Sequence, residues 1–336
     1  MSTISNGFEN GFEKVYVHPS QFPNKVYQDY LDCFSVGKIN HKFHYDSVKQ
    51  SQKWLKIHEY YSPARTNDDC INAYAVCFQK TAEFLDINTN IQVIGLGCGG
   101  GAKDHLLVSY LFNTEREIIY YPIDVSLSLA LISGQKIRES YPQVSIQPIV
   151  CDLPCADDLI FHLHDQGEGH RKIITFFGMI PNFTPDEILP ILSNFLQPGD
   201  ILLMSANLAP GDDYLTGINK ILPQYDNELT KDWLMTVLVD AGINPDHGTI
   251  KFSLKDDPNH QELTRINAQF EVETNIDLKL DDQIMHWKNG DQIQLFFSYR
   301  YTTTKLQNIL KQYDIIILDY WEGANQEEGV YFCQKI

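Results

Sequence analysis

What this sequence lacks narrows its function first. No apolar run reaches the roughly eighteen residues of a membrane-spanning helix, so no membrane partner is expected. No cluster of Lys or Arg occurs: 26 basic residues face 44 acidic ones, and the formal net charge is -18. Phosphate backbones would be repelled, which argues against a nucleic-acid partner. No cysteine framework is present. The seven cysteines (Cys33, Cys70, Cys77, Cys98, Cys151, Cys155, Cys333) are scattered and odd in number, as expected for reduced thiols in a cytoplasmic protein. The first ten residues are polar and lack the apolar stretch of a secretory signal, which gives the same expectation of a cytoplasmic location. Low complexity is confined to N-G-F-E, which occurs at 6–9 and again at 10–13; residues 1–13 read as a solvated, flexible tail.

What is present is a globular composition: 336 residues, 43% hydrophobic and 12% aromatic, enough for one large or two modest domains. Apolar spacing near 3.6 after a Thr-Asn cap signal predicts a helix over 68–86. I-Q-V-I-G-L at 91–96 predicts a short buried strand stopped by glycines. Helices over 102–113, 126–140 and 184–196 then alternate with strands over 117–123, 144–150, 172–177 and 200–206. Such alternation argues for an α/β fold with a parallel, doubly wound sheet. After a helix over 303–312, stretches 314–321 and 329–336 read as two strands joined by a Gly-containing loop, so the sheet is expected to end in an antiparallel hairpin. Residues 208–298 have another character: a helical, acidic piece over 220–243, then alternating stretches over 266–280 and 290–299 that predict antiparallel strands. They read as a second, inserted unit completed by the N-terminal segment.

The chemistry centres on V-I-G-L-G-C-G-G-G-A-K-D at 93–104. A nucleoside triphosphate loop needs G-x-x-x-x-G-K-[ST], and here Lys103 is followed by Asp104. A dinucleotide loop needs G-x-G-x-x-G, and after Gly97 and Gly99 the third glycine is missing from its usual place. Asp124 could still meet a dinucleotide's ribose, so that reading stays open, but a third candidate, S-adenosylmethionine (SAM), fits the pattern better. Its site uses bare glycine backbone after the first strand. An acid at the end of the second strand meets the ribose hydroxyls, and often an Asp at the end of the third meets the adenine amine. Asp124 and Asp152 stand at those places, at the carboxyl ends of parallel strands, where open α/β sheets bind ligands. The closing hairpin also fits a methyltransferase sheet better than a dehydrogenase one.

Each of these residues has an ordinary structural reading as well. Asp124 and Asp152 are also good helix caps. Lys103 is also a charge on a helix face, and any one of eighteen tyrosines is more often a packing residue. His162, His164 and His170 beside Asp165 do not share one helix face, and Cys151 with Cys155 lacks a second pair, so no metal site is expected.

Further stretches carry a resemblance. E-Y-Y-S-P-A-R-T lies at 59–66, F-F-G-M-I-P-N-F at 176–183 and Q-Y-D-N at 224–227; F-S-Y-R-Y-T lies at 297–302, and Y-D at 45–46. In order and in combination, from about residue 36 to the end, they resemble the SAM-dependent histidine Nα-methyltransferases of the ergothioneine pathway. The resemblance implies a seven-stranded, Rossmann-like class I methyltransferase sheet (62–207 with 300–336) and an α+β substrate-binding domain (14–61 with 208–299). It implies that Gly97, Gly99, Lys103, Asp124, Asp152 and Leu153 hold SAM. It places Asn182 and Gly178 at the amino acid's backbone groups, Tyr225 at its carboxylate, and Tyr45 and Tyr61 near the amino group and the methyl. Ser298 and Phe296 fall at the substrate side chain, with Ala268 where the family has a methionine.

Departures from the family bear on the substrate. The acid before the first-strand leucine is Gly95 here, and G-S-T-I-G-N-F is shortened to G-M-I-P-N-F. Where family members that take histidine carry Glu for the imidazole, this chain has Phe296, and if the register slips by one, Phe297 is the pocket residue. The expectation is N-methylation of a free amino acid larger or more apolar than histidine. Two alternatives remain at this point: methylation of a side-chain nitrogen such as a guanidine, and a degenerate SAM-binding partner module.

Overall fold

The computed structural model of the protein describes residues 13–165 and 169–336; the expected tail lies outside the described residues except for Glu13. The chain opens with strand β1 (Tyr16–Val17) and helices α1 (Pro23–Val36), α2 (Val48–Tyr61), α3 (Pro63–Thr66) and α4 (Asp68–Phe84). An alternating stretch follows: β2 (Ile91–Leu96), α5 (Ala102–Leu111), β3 (Ile118–Asp124), α6 (Leu127–Ser140), β4 (Ser145–Ile146), β5 (Ile149–Val150), α7 (Leu159–Asp165), β6 (Arg171–Phe177), α8 (Pro185–Phe195) and β7 (Ile201–Asn207). Then come α9 (Tyr214–Tyr225), α10 (Glu228–Ala241), β8 (Gly248–Asp256), β9 (Thr264–Val272), β10 (Ile276–Leu280), β11 (Gln283–Trp287) and β12 (Gln292–Arg300). The chain closes with α11 (Thr303–Lys311), β13 (Ile315–Glu322) and β14 (Glu328–Lys335).

The central sheet runs β1-β5-β3-β2-β6-β7-β14-β13, with β4 beside β3. Pairing is parallel from β1 to β7, and the closing β13–β14 hairpin is antiparallel. The described sheet has nine strands rather than seven, for two reasons. The stretch at 144–150 contains Pro148, which has no N–H for a ladder, and it breaks into β4 and β5. The N-terminal β1 adds an edge strand against β5. Every residue of β2 and β3 is buried, as a sheet covered on both faces requires. Ile94, Leu96, Ile123 and Phe176 pack on one face, and Val93, Tyr120 and Ile173 meet Phe78 and Leu107 on the other.

The inserted unit is a three-stranded antiparallel sheet, β12-β9-β8, with the β10–β11 hairpin and α10. Its helical piece is two helices, because Asn227 stops α9 and caps α10 by accepting from the Thr230 N–H at 2.9 Å. The N-terminal segment joins this unit. The Ile39 N–H donates to the Gln294 carbonyl at 2.8 Å, and Phe34 and Phe43 share a core with Trp233, Leu234 and Phe270. Strand β12 then leads back to the central sheet, where the Tyr301 N–H donates to the Asn207 carbonyl at 2.9 Å. A cleft of about 570 Å³ opens between the two units, over the carboxyl ends of the parallel strands. No described helix is long and apolar enough to cross a membrane.

Candidate active site

Strand β2 ends at Leu96 and the chain must turn at once into α5. It does so through Gly97, Gly99 and Gly101, with φ of 65°, 54° and 66°, a region L side chains rarely adopt. Space is as short as torsion. A Cβ on Gly97 would lie 2.4 Å from the Met179 sulfur, and one on Gly101 would lie 2.7 Å from the Ser133 Cα. Gly101→Ala is therefore expected to destabilise the protein by about 2–4 kcal/mol, the sum of a left-handed Cβ penalty and overpacking. Urea unfolding reads it, and parental stability would show that the loop relaxes freely. A Cβ on Gly95 would meet the Asp104 carboxylate at 2.5 Å. Asp104, on the first turn of α5, fills the space next to the strand and accepts from Tyr120 at 2.7 Å and Thr175 at 2.8 Å.

Two acids close the strand ends beside this loop. Asp124 is buried, and its carboxylate accepts from the Gly99 N–H at 3.0 Å and the Ser126 N–H at 2.9 Å. Burial outweighs these bonds and pushes its pKa up to about 6. Asp152 is also buried, and one of its oxygens lies 3.2 Å from the Lys42 ammonium, which also holds Asp29 at 2.6 Å. Lys103 lines the cleft, pairs with the buried Glu328 at 3.2 Å and sits over the Tyr74 ring. Glu328, which also accepts from Tyr74, is held below the usual carboxylate range by Lys103 and these hydrogen bonds despite its burial.

The far side of the cleft is aromatic. Trp54 meets Tyr45, Tyr45 meets Trp233, and Trp233 meets Phe296, with ring centroids 5.8, 5.4 and 5.6 Å apart. His41 stacks on Phe296 at 4.6 Å. Burial drives the His41 pKa well below its ordinary value. Its Nε2 accepts from the Phe297 N–H at 3.3 Å, so its proton sits on Nδ1, which has no partner among the described residues. Tyr45 is half-buried, burial and Asp124 raise its pKa, and its hydroxyl makes no hydrogen bond to a described residue. Tyr61 stands at the rim, 51% exposed.

The cleft brings together Tyr45, Tyr61, Gly97, Gly99, Lys103, Asp124, Asp152, Leu153, Gly178, Asn182, Tyr225, Phe296 and Ser298. One expected residue is not among them. Ala268 lies on β9 across from Phe296, is 1% exposed and packs in the core of the inserted unit, so its small side chain does not widen the cleft directly. Phe296, not Phe297, faces the cleft; Phe297 belongs to the core under the central sheet. Asn182 ends a short helical turn, Ile180–Asn182, with its side-chain amide free of described partners. At the base, Tyr225 donates to Ser298 at 3.0 Å and accepts from Arg300 at 2.9 Å. Lys42, Trp54, Asp104, Met179, Trp233, Arg300 and Glu328 also line the cleft without having been singled out from the sequence. Among the described residues no three His, Cys, Asp or Glu side chains are grouped to hold a metal ion.

The residues present suit an adenosyl ligand. Three left-handed glycines bare the loop, and two buried carboxylates with lone pairs to spare stand beside it. Comparison with known protein families agrees. The profile of a family described as "Histidine-specific methyltransferase, SAM-dependent" matches residues 28–335. The chain is 27% identical over 192 residues to a histidine N-alpha-methyltransferase of Mycolicibacterium smegmatis, a match covering 55% of this chain and 54% of that protein. The chain thus spans about half the length of that relative. It is 24% identical over 288 residues to the N-methyltransferase imqF of Aspergillus flavus, covering 82% of this chain and 74% of that one. Among solved structures, magnesium protoporphyrin IX methyltransferase from Synechocystis PCC 6803 with bound SAH superposes with a TM-score of 0.44 at 10% identity, covering 86% of this chain and 95% of that one.

Proposed function

The chain belongs to the family of histidine-specific, SAM-dependent methyltransferases, and on that premise we propose that it methylates the amino nitrogen of a free amino acid whose side chain is larger or more apolar than that of histidine, an aromatic one first. The observation that carries the substrate half of this reading is Phe296. Its ring lines the cleft among Trp233 and His41, where an imidazole would need an acceptor for its N–H. A buried N–H left without one costs about 1–3 kcal/mol. The neighbouring imidazole of His41 offers a donor, not an acceptor, to a ligand.

When bound, SAM supplies the activated methyl, so the work of this chain is binding and alignment. Gly97 and Gly99 leave the loop backbone bare, Asp124 and Asp152 present carboxylate oxygens, Leu153 gives an apolar wall, and Lys103 stands at the end of the loop. Asn182, Gly178 and Tyr225 hold the backbone groups of the amino acid. The amino nitrogen must arrive neutral and in line, and orientation of this kind supplies on the order of 7–11 kcal/mol. Tyr45, with a hydroxyl free of partners among the described residues, and Tyr61 at the rim position that nitrogen and pass its proton towards solvent. Tyr45→Phe and Tyr61→Phe are expected to lower turnover about tenfold or more while leaving SAM affinity nearly unchanged. Parental rates in both variants would remove the tyrosines from the mechanism.

The test of the function is methyl transfer from SAM to each of the twenty amino acids, read by product mass. Aromatic products support the reading. Histidine turned over at least as fast as every aromatic amino acid would overturn the substrate half. Absence of transfer to every amino acid would overturn the proposal.

A further inference from the structure

Among the described residues, both lysines that line the cleft pair with carboxylates, and Arg300 does not. Lys42 has Asp29 and Asp152, and Lys103 has Glu328. Arg300, the last residue of β12, is 7% exposed and has no carboxylate within 4 Å among the described residues. Its guanidinium donates only to neutral oxygens: the Leu208 carbonyl at 3.2 Å, the Glu327 carbonyl at 3.4 Å and the Tyr225 hydroxyl at 2.9 Å. Its Nε is buried and has no hydrogen-bond partner among the described residues. A desolvated guanidinium without a counter-charge is costly, and planar bidentate donors match a carboxylate.

The neighbours of Arg300 sharpen the ligand. Because Tyr225 accepts from Arg300, its own proton must leave on the other side, and it now goes to Ser298 at 3.0 Å. Asn207 approaches the same Ser298 hydroxyl at 3.4 Å. The base of the cleft is thus a cluster of donors around one uncompensated positive charge. We infer that Arg300 is the positioning residue for the carboxylate of the substrate: it supplies the charge, and by occupying the acceptor lone pair of Tyr225 it commits that hydroxyl to donating. The enzyme then demands a free carboxylate and rejects the corresponding amide or decarboxylated amine. This rests on the functional reading above and names the group that reading leaves uncharged.

The experiment compares phenylalanine, tyrosine and tryptophan, each beside its carboxamide and its decarboxylated amine, in the parental enzyme, Arg300→Met and Arg300→Lys, with SAM affinity measured in parallel. The parent is expected to lose about a hundredfold or more in kcat/KM from acid to amide. Arg300→Met is expected to lose a similar factor for the acid, chiefly through KM, to bring acid and amide close together, and to leave SAM affinity unchanged. Arg300→Lys should restore part of the acid preference, and it covers the case in which Arg300→Met does not fold. Equal turnover of acid and amide by the parent overturns the inference and leaves amino-group methylation standing. An unchanged acid-to-amide ratio in both variants also overturns it, assigning Arg300 to structure alone. No transfer to any of these amines overturns the functional reading and the inference with it.

Discussion

Asp124→Asn is expected to bind SAM about a hundredfold more weakly than the parent at pH 7.5, and to lose the pH dependence of that binding. The carboxylate accepts from the N–H groups of Gly99 and Ser126, one on each oxygen, and its roughly four lone-pair sites leave acceptor capacity for a ligand's hydroxyls. Hydrogen bonds to a charged acceptor contribute about 1.5–3 kcal/mol each, and a hydroxyl-binding pair at the lower value already gives a hundredfold. Asn keeps one acceptor oxygen and turns the other into a donor. Because burial raises the Asp124 pKa to about 6, the competent carboxylate fades as pH falls through 6. The parental Kd should then rise about tenfold per pH unit below that point. Stability runs the other way. A folded pKa above the ordinary 3.8 gives a contribution fully present below 3.8 and lost as pH rises through about 6. Between pH 4 and pH 7, Asp124→Asn should therefore gain up to about 3 kcal/mol on the parent in the ligand-free state, less the hydrogen bond it forgoes. Titrations of SAM and urea unfolding at pH 5, 6 and 7.5 read both trends. A parental Kd flat across that range, or a variant with parental affinity, would take Asp124 out of the ligand site.

Phe296→Glu is the second large effect. It is expected to raise kcat/KM for histidine about tenfold and to lower it about a hundredfold for the aromatic amino acids proposed as substrates. The new carboxylate would accept the imidazole N–H, a recovery of about 1–3 kcal/mol, while an aromatic side chain would lose its apolar wall and meet a charge. The variant should be less stable when empty, because the carboxylate sits among Trp233, His41 and His44 with little water. That carboxylate should also pull the depressed pKa of His41 upward. Phe296→Ala is the control, since it opens space without adding an acceptor. If it raised histidine turnover as much as Phe296→Glu, room and not hydrogen bonding would decide the substrate.

The strand-and-loop frame of the candidate cofactor side was legible in the sequence because its determinants are local. Strand β2 has the expected bounds, its glycine loop follows at once, and Asp124 and Asp152 end the next strands as a doubly wound sheet demands. The extra strands were hidden by length: two-residue pieces such as β1 and β4 carry no periodicity. The substrate side depends on segments far apart in the chain. Lys42 meets Asp152 and Arg300 meets Tyr225 across 110 and 75 residues, and no spacing rule reaches that far. Strand β12 also defeats alternation. A bulge between Gln294 and Phe296 shifts its register, and Leu295, Phe296 and Phe297 are all buried. The sequence therefore leaves open which ring faces the cleft, and it places at the pocket an Ala268 that the structure puts in the core opposite Phe296.

Strand β12 has a further consequence. Phe296, Ser298 and Arg300 line the cleft at alternate positions of one strand, and the chain leaves it hydrogen-bonded to the central sheet. A strand advances about 3.3 Å per residue, so positions 296 and 300 are about 13 Å apart along a stiff rail. The rail works as a gauge. On the proposed function, one end would face the substrate side chain and the other its carboxylate, at a fixed separation. If so, exchanging the residue at one notch is expected to change the side chain accepted without moving the other notch.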